Sequence, residues 1–215
     1  MKYFVSKYEN LSLWLILSFL STLILYYSNT FIITDSIYYN SFSTSLSNER
    51  IEQFIINQKK YIWIGYFLVP IFIGVKILLI GFCLYVRLFV SDQIIKIKVL
   101  FRTLFIAEFV FITGGICRVI FLDFIYRPET IDDLQKFAPL SLYSLLNKNI
   151  VPSYFTYPLQ LINIFEISYM LVLAYLLSKF SESNFKRSLG YVMSGYGVGL
   201  LLWCVIVVFL QLQLS

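Results

Sequence analysis

Residues 61–89 read YIWIGYFLVPIFIGVKILLIGFCLYVRLF and form the longest apolar segment of the chain. It contains only two charged side chains, Lys76 and Arg87. A helix crosses the hydrocarbon core of a bilayer with about 20 consecutive apolar residues. The stretch is long enough and apolar enough for that, so it predicts a transmembrane helix.

The composition of the whole chain points the same way. Of the 215 residues, 59% are hydrophobic and 13% are charged, whereas a soluble domain has about 25% charged residues. A chain with so few polar side chains cannot cover its surface in water. The net charge of +5 does not indicate nucleic acid as a partner, because basic cytoplasmic loops are its common cause in a membrane protein.

Five apolar segments are long enough to span a bilayer. We therefore expect an all-α polytopic transmembrane helix bundle that forms a single membrane domain over residues 1–215. The first segment follows two lysines, as a signal peptide does, but its apolar core is longer than that of a signal and no A-x-A-like site follows it. The predicted spans lie at about 11–33, 61–89, 99–122, 154–177 and 191–210.

The basic residues in the loops predict the orientation. The amino terminus and the second and fourth loops carry nine basic and three acidic residues, whereas the first and third loops carry seven of each. The more basic loops are also the shorter ones. Short basic loops stay in the cytoplasm, so we expect a cytoplasmic amino terminus and a carboxyl terminus outside.

The two longer loops have the pattern of short interfacial helices. Residues 48–60 start with cap-type side chains and acidic residues, followed by apolar residues at helical spacing. Residues 130–146 repeat this arrangement from Thr130. Such helices either lie on the membrane and shorten the loops, which is the commoner case, or dock a partner protein.

Three ionisable residues fall inside predicted spans: Lys76 in the second, Glu108 in the third and Glu166 in the fourth. With a rise of about 1.5 Å per residue, each lies about 15–20 Å from the basic residue that anchors its span, which is near the bilayer midplane. A charge that faces lipid there costs about 2.5–3.5 kcal/mol. We therefore predict that these three spans meet, with Lys76 bonded to Glu108 or to Glu166.

Three neighbouring residues are predicted to line the same seam. Asn163 lies three positions before Glu166, Tyr169 lies three positions after it, and Gly115 lies seven positions after Glu108, so helical spacing puts them on the faces of those carboxylates. The cluster either fixes helix packing, contacts a partner subunit or conducts protons. The packing role is favoured because an ion pathway usually shows several carboxylates along one route.

A G-x-x-x-G pattern lies in the fifth span, at Gly195 and Gly199. Small residues at this spacing let two membrane helices approach closely. The pattern is short, and it leaves open whether the partner helix belongs to this chain or to another one.

The sequence contains no familiar catalytic or metal-binding pattern. It has no histidine, and its three cysteines fall in different apolar segments without C-x-x-C spacing. The P-loop, G-x-G-x-x-G, G-x-S-x-G and H-E-x-x-H motifs are absent. A Ser–Lys nucleophile at Lys76 is the remaining catalytic alternative, and no serine is paired with it. We expect no enzyme activity, no cofactor and no metal site.

Four stretches give the chain a family resemblance. They are Ser91-Asp92-Gln93 before a basic span entry, residues 139–146 (PLSLYSLL), residues 161–167 (LINIFEI), and the basic loop 179–187 before a glycine-bearing last span. Together they resemble the Yip1-type membrane domain over roughly residues 60–212. The resemblance implies five spans with a cytoplasmic amino terminus, and it assigns no functional residues.

These observations favour a non-enzymatic integral membrane subunit or scaffold. Its partners would be the lipid bilayer and other integral membrane proteins. The alternative is a small proton-coupled transporter or ion-conducting protein that uses Glu108 and Glu166. The many Ile, Lys, Asn and Tyr residues indicate an AT-rich genome, and we expect the protein in a bacterial cytoplasmic membrane.

Overall fold

A computed structural model describes residues 9–93, 95–146, 151–180 and 183–214. Every named element in this part of the chain is helical. A π-helical turn, Ser28–Ile32, extends α1, and a second one, Met193–Gly197, joins α9 to α10. The α-helices are α1 (Glu9–Tyr27), α2 (Asp35–Phe42), α3 (Asn48–Val90), α4 (Ile97–Phe124), α5 (Ile131–Lys136), α6 (Leu142–Leu145), α7 (Ser153–Leu161), α8 (Ile164–Phe180), α9 (Phe185–Val192) and α10 (Val198–Leu214).

Four helical segments of the described chain are long and apolar enough to cross a membrane. They are Glu9–Ile32, Asn48–Val90, Ile97–Phe124 and Phe185–Gln213. In Asn48–Val90 and Phe185–Gln213 most large apolar side chains are exposed, which is the surface that a bilayer requires and that water disfavours. The all-α membrane architecture expected from the composition is thereby supported.

The segment predicted as a fourth continuous span, 154–177, is divided in two. It forms α7, which ends at Leu161, and α8, which starts at Ile164 and has 17 residues. The two pieces lie along the last helical segment, α7 against α10 and α8 against α9. The continuous helix that the sequence predicted is therefore interrupted at Ile162 and Asn163.

The predicted separate helix at 48–60 is also different in the structure. It is the first part of α3, one helix of 43 residues, which is about 64 Å long at a rise of 1.5 Å per residue. That length is about twice the hydrocarbon core, so α3 extends well beyond one side of it. The region predicted at 130–146 contains two short helices, α5 and α6, and a capping box at Thr130 and Asp133 starts α5.

The core lies where α3, α4, α8 and the α9 segment meet. Its buried side chains are apolar residues and tyrosines from these four elements. Neighbouring helices run antiparallel: Gly81 of α3 lies against Leu104 of α4, and Gly114 of α4 lies against Phe165 of α8. α1 packs on α3 and α4, and the indole of Trp14 donates a hydrogen bond to the carbonyl of Pro70 at 3.2 Å.

A small helical layer lies beyond the apolar part of the bundle. α2 packs on the first turns of α3, where Ile37, Ile51 and Ile55 are buried, and α5 packs on α2. Lys59 and Asp35 form an exposed ion pair at 2.8 Å in this layer.

Candidate polar site within the helix bundle

The structure brings Lys76 of α3 and Glu108 of α4 into direct contact. The ammonium Nζ of Lys76 donates a hydrogen bond to Oε1 of Glu108 at 2.6 Å. The carboxylate is almost fully enclosed, with 6% of its side chain exposed, whereas 38% of the Lys76 side chain is exposed. The ion pair therefore joins two long helices and is open on the lysine side only.

Aromatic rings complete the surroundings of the ammonium. Nζ of Lys76 lies 3.5 Å from the centroid of the Phe111 ring and 5.8 Å from that of Tyr169. Phe111 follows Glu108 by three residues, so both lie on one face of α4. A cation over an aromatic ring is stabilised most where water is excluded, so the ring supports the charge that the carboxylate neutralises.

Glu166 is bound to a different partner. It lies in the first turn of α8 and is buried, and its carboxylate accepts a hydrogen bond from the hydroxyl of Tyr196 in the π-helical turn after α9. No Lys or Arg of the described chain lies within 4.0 Å of it. The structure thus places Lys76 with Glu108, and Glu166 with a tyrosine.

Tyr169 connects the two halves of the site. Its ring lies 4.8 Å from that of Phe111 and 5.3 Å from that of Tyr196, the latter in a T-shaped arrangement. Tyr169 is fully buried, yet its hydroxyl has no hydrogen-bond partner among the described residues. Oε2 of Glu108 is likewise buried without a partner. The site therefore retains two unused polar atoms. We call Lys76, Glu108, Glu166, Tyr169 and Tyr196 the polar cluster.

The side of α3 that carries Lys76 is open. Phe72 and Leu79 lie four residues before and three residues after Lys76, so they share its face. Their exposed fractions are 64% and 58%. The exposed part of the Lys76 side chain consequently lies within an apolar surface on the outside of the bundle.

The helical spacing predicted that the Asn163 side chain lines the cluster. In the structure it binds backbone groups instead. Its Oδ1 accepts a hydrogen bond from the backbone N–H of Glu166 at 2.8 Å, and its Nδ2 donates to the carbonyls of Gln160 and Leu161. It caps the amino terminus of α8 and binds carbonyls at the end of α7. Its role is to hold the interruption that positions Glu166.

The segment around α6 pairs with the remaining backbone groups of this interruption. The N–H of Leu142 donates to the carbonyl of Ile162 at 2.8 Å, and the N–H of Ile164 donates to the carbonyl of Leu140 at 3.2 Å. A buried backbone N–H or C=O group without a hydrogen-bond partner is unfavourable. Here the protein satisfies these groups itself.

Gly115 lies on a different face from the one predicted. A Cβ at Gly115 would contact Ile24 of α1 at 3.2 Å, whereas a Cβ at Gly114 would contact the Phe165 ring of α8 at 3.0 Å. The close approach of α4 to α8 therefore depends on Gly114. Gly115 allows the approach of α1, because adjacent helical residues point about 100° apart.

Gly195 and Gly199 pack within the chain. A Cβ at Gly195 would contact Arg87, Leu84 and the carbonyl of Cys83 at 3.1–3.3 Å, and a Cβ at Gly199 would contact the sulfur of Cys83 at 3.1 Å. The G-x-x-x-G face thus lies against α3. This contact brings Tyr196, which lies between the two glycines, to the polar cluster.

Two members of the site had not been singled out from the sequence. Tyr196 carried no charge and lay among glycines, and Phe111 was one of 21 phenylalanines. The i+3 spacing from Glu108 was the available indication for Phe111. Within the described chain no three His, Cys, Asp or Glu residues are grouped in a way that could hold a metal ion.

Comparisons with protein-family models, with curated proteins and with solved structures find no match for this chain. The Yip1-type resemblance therefore stays a prediction.

Proposed function

We propose that this protein is a non-enzymatic integral membrane subunit that assembles with another membrane protein through the open face of α3. In this proposal it spans the membrane five times, with α7 and α8 together forming the fourth span, and its amino terminus is cytoplasmic. The polar cluster holds the spans together and presents Lys76 to the partner. We place it in a bacterial cytoplasmic membrane.

The observation that carries the proposal is the uneven exposure of the ion pair. Glu108 is enclosed, while Lys76 is 38% exposed between the exposed apolar side chains of Phe72 and Leu79. Among the described residues, Glu108 is the one hydrogen-bond and ion-pair partner of the ammonium. A charged group that faces hydrocarbon is unfavourable by about 2.5–3.5 kcal/mol, so a covering protein surface stabilises the arrangement.

The partner's chemistry follows from the same geometry. The ammonium has three N–H donors, and one is used by Glu108. A helix with an acceptor, such as a hydroxyl, an amide or a carboxylate, would bind another donor, while its apolar side chains would cover Phe72 and Leu79. Polar contacts between membrane helices are worth about 0.6–2 kcal/mol each, so apolar packing must supply the rest of the affinity.

Purification in a mild detergent tests the proposal. The wild-type chain should retain a stoichiometric membrane companion. The double variant K76M/E108M removes the ion pair without leaving a buried charge, so it should stay folded and lose the companion. K59M removes a lysine from the exposed pair with Asp35 and should retain it. A companion that binds wild type and K76M/E108M equally would contradict the proposal.

A second candidate, a proton-coupled transporter, is favoured by one specific feature. The helical path is interrupted between α7 and α8, shortly before Glu166. Discontinuous helices form the ion and substrate sites of many transporters. The unpartnered atoms, Oε2 of Glu108 and the hydroxyl of Tyr169, could exchange protons in such a protein.

The two candidates differ in the behaviour of E108Q and E166Q. Both variants keep the side-chain shape and remove the titratable group. If the chain is a transporter, proteoliposomes of the variants lose proton flux while assembly with a companion is unchanged. If it is a subunit, wild-type proteoliposomes show no proton flux and E108Q weakens the assembly.

A further inference from the structure

A polar cavity of about 180 Å³ lies beside the interruption between α7 and α8. It is formed by α4, by the chain from α5 to α6, and by the residues on either side of the interruption. Its apolar walls are formed by Phe137, Phe165 and Gly114. Its polar side chains are Arg118, Gln135, Ser141, Gln160 and Asn163.

Arg118 is the only charged residue of this lining, and most of its hydrogen-bonding capacity is unused. Its Nη2 donates to the carbonyl of Leu134 at 2.9 Å, while a guanidinium has five N–H donors. In the described chain no carboxylate lies within 4.0 Å of Arg118. Arg118 is exposed, so the cavity opens at a positive charge that no carboxylate of the described chain neutralises.

Some of the other polar side chains of the cavity already form hydrogen bonds within the protein, and one does not. Asn163 and Ser141 bind backbone groups at the ends of α8 and α6. Gln160 donates to the carbonyl of Gln135, and the side-chain amide of Gln135 has no partner among the described residues. An unpaired guanidinium next to a free amide offers N–H donors, which is the arrangement that binds an oxyanion.

We infer that this cavity binds an oxyanion, a phosphate or carboxylate group, with Arg118 as its principal ligand and Gln135 as a second donor. The amino terminus of α8 is at the cavity wall, and its dipole adds a partial positive charge there. The inference concerns a site separate from Lys76 and Glu108 and does not depend on the proposed function.

The position of Arg118 allows two sources for the anion. It lies six residues before the last residue of α4, Phe124, which corresponds to about 9 Å along the helix. At that depth the headgroup phosphate of a phospholipid and a free anion from the aqueous side can both reach it.

Binding measurements on the full chain in nanodiscs test the inference. Inorganic phosphate is titrated calorimetrically against protein in zwitterionic lipid, and retention of phosphatidylglycerol is measured by native mass spectrometry. R118Q should weaken binding about tenfold or more, as loss of a hydrogen-bonded charge does. R127Q removes the same charge from another exposed arginine, which lies outside the cavity, and should leave binding unchanged.

The two probes identify the source of the anion. Phosphate binding that depends on Arg118 indicates a free oxyanion, and lipid retention that depends on Arg118 with no phosphate binding indicates a headgroup. R118K keeps the charge and should lose less affinity than R118Q, which separates a binding role from a folding defect. Binding of both probes to R118Q at wild-type strength, or binding of neither probe to the wild type, would overturn the inference.

Discussion

Replacement of Lys76 by methionine should destabilise the protein more than the corresponding replacement of Glu108. K76M leaves the carboxylate of Glu108 without its one hydrogen-bond donor in a place where 6% of the side chain is exposed. Removing one partner of a buried ion pair costs about 3–5 kcal/mol. Because the lysine side of this pair is partly open, we expect the lower end, about 3 kcal/mol.

The reverse change, E108M, leaves the charged group with other means of stabilisation. The Lys76 side chain is 38% exposed, so its ammonium can extend outward, and the Phe111 ring stays beneath it. We expect a loss of about 1–2 kcal/mol, within the range of a hydrogen bond to a charged group. The expected difference in stability between K76M and E108M follows from the different exposed fractions of the Lys76 and Glu108 side chains.

The double variant K76M/E108M completes the cycle. Apolar side chains of similar size replace a buried ion pair at little cost, so we expect a total loss of about 1 kcal/mol. The two single losses would add to about 4–5 kcal/mol if the residues were independent. The expected coupling energy is therefore about 3–4 kcal/mol, well above the scatter of about 0.5 kcal/mol for independent sites.

Equilibrium unfolding in mixed micelles with increasing dodecyl sulfate provides the assay. The three tryptophans of the chain report the transition by fluorescence. The pair Lys59–Asp35, whose side chains are 63% and 53% exposed, is the control, and its coupling should be below about 1 kcal/mol. Additive losses at Lys76 and Glu108 would show that the two side chains share no stabilising interaction, contrary to this prediction.

Three further predictions use the same unfolding assay. Y196F removes the hydrogen bond to the buried carboxylate on α8 and should lower stability by about 2 kcal/mol; a wild-type value would show that this bond is absent. G195A should cost about 1–3 kcal/mol because its Cβ meets α3 at 3.1–3.3 Å, whereas G197A, with nothing within 4 Å, should be neutral or slightly stabilising. Equal effects of the two glycine changes would place the helix contact elsewhere. N163A should cost about 1–2 kcal/mol through loss of the cap of α8, and a neutral result would mean that α8 begins without it.

The helical membrane architecture and the contact between Lys76 and one of two carboxylates were within reach of sequence reasoning. The apolar segments are long, and a charge inside one of them has few favourable neighbours. The choice between Glu108 and Glu166 was not within reach, because it depends on which helix faces meet. The structure resolves it through Gly81 and Gly114, where α4 approaches its two neighbours.

The interruption at Asn163 could have been predicted. Asn163 and Glu166 have the spacing of a helix amino terminus, a cap-type residue followed by an acid three positions later. The apolar residues on both sides instead suggested one continuous span, in which the two polar side chains would share a face. Gly115 shows how sensitive the prediction of a helix contact is to position. Adjacent helical residues point about 100° apart, so Gly114 contacts α8 whereas Gly115 contacts α1.

Site-specific photo-crosslinking in the native membrane tests most directly whether a partner protein covers Lys76. A photoreactive residue at Leu79, three positions after Lys76 and 58% exposed, should give one protein adduct of defined mass, and K76M/E108M should abolish it. The same residue at Phe19 of α1, 65% exposed, should give no such adduct. Lipid adducts alone at Leu79, or an unchanged protein adduct in K76M/E108M, would contradict the account.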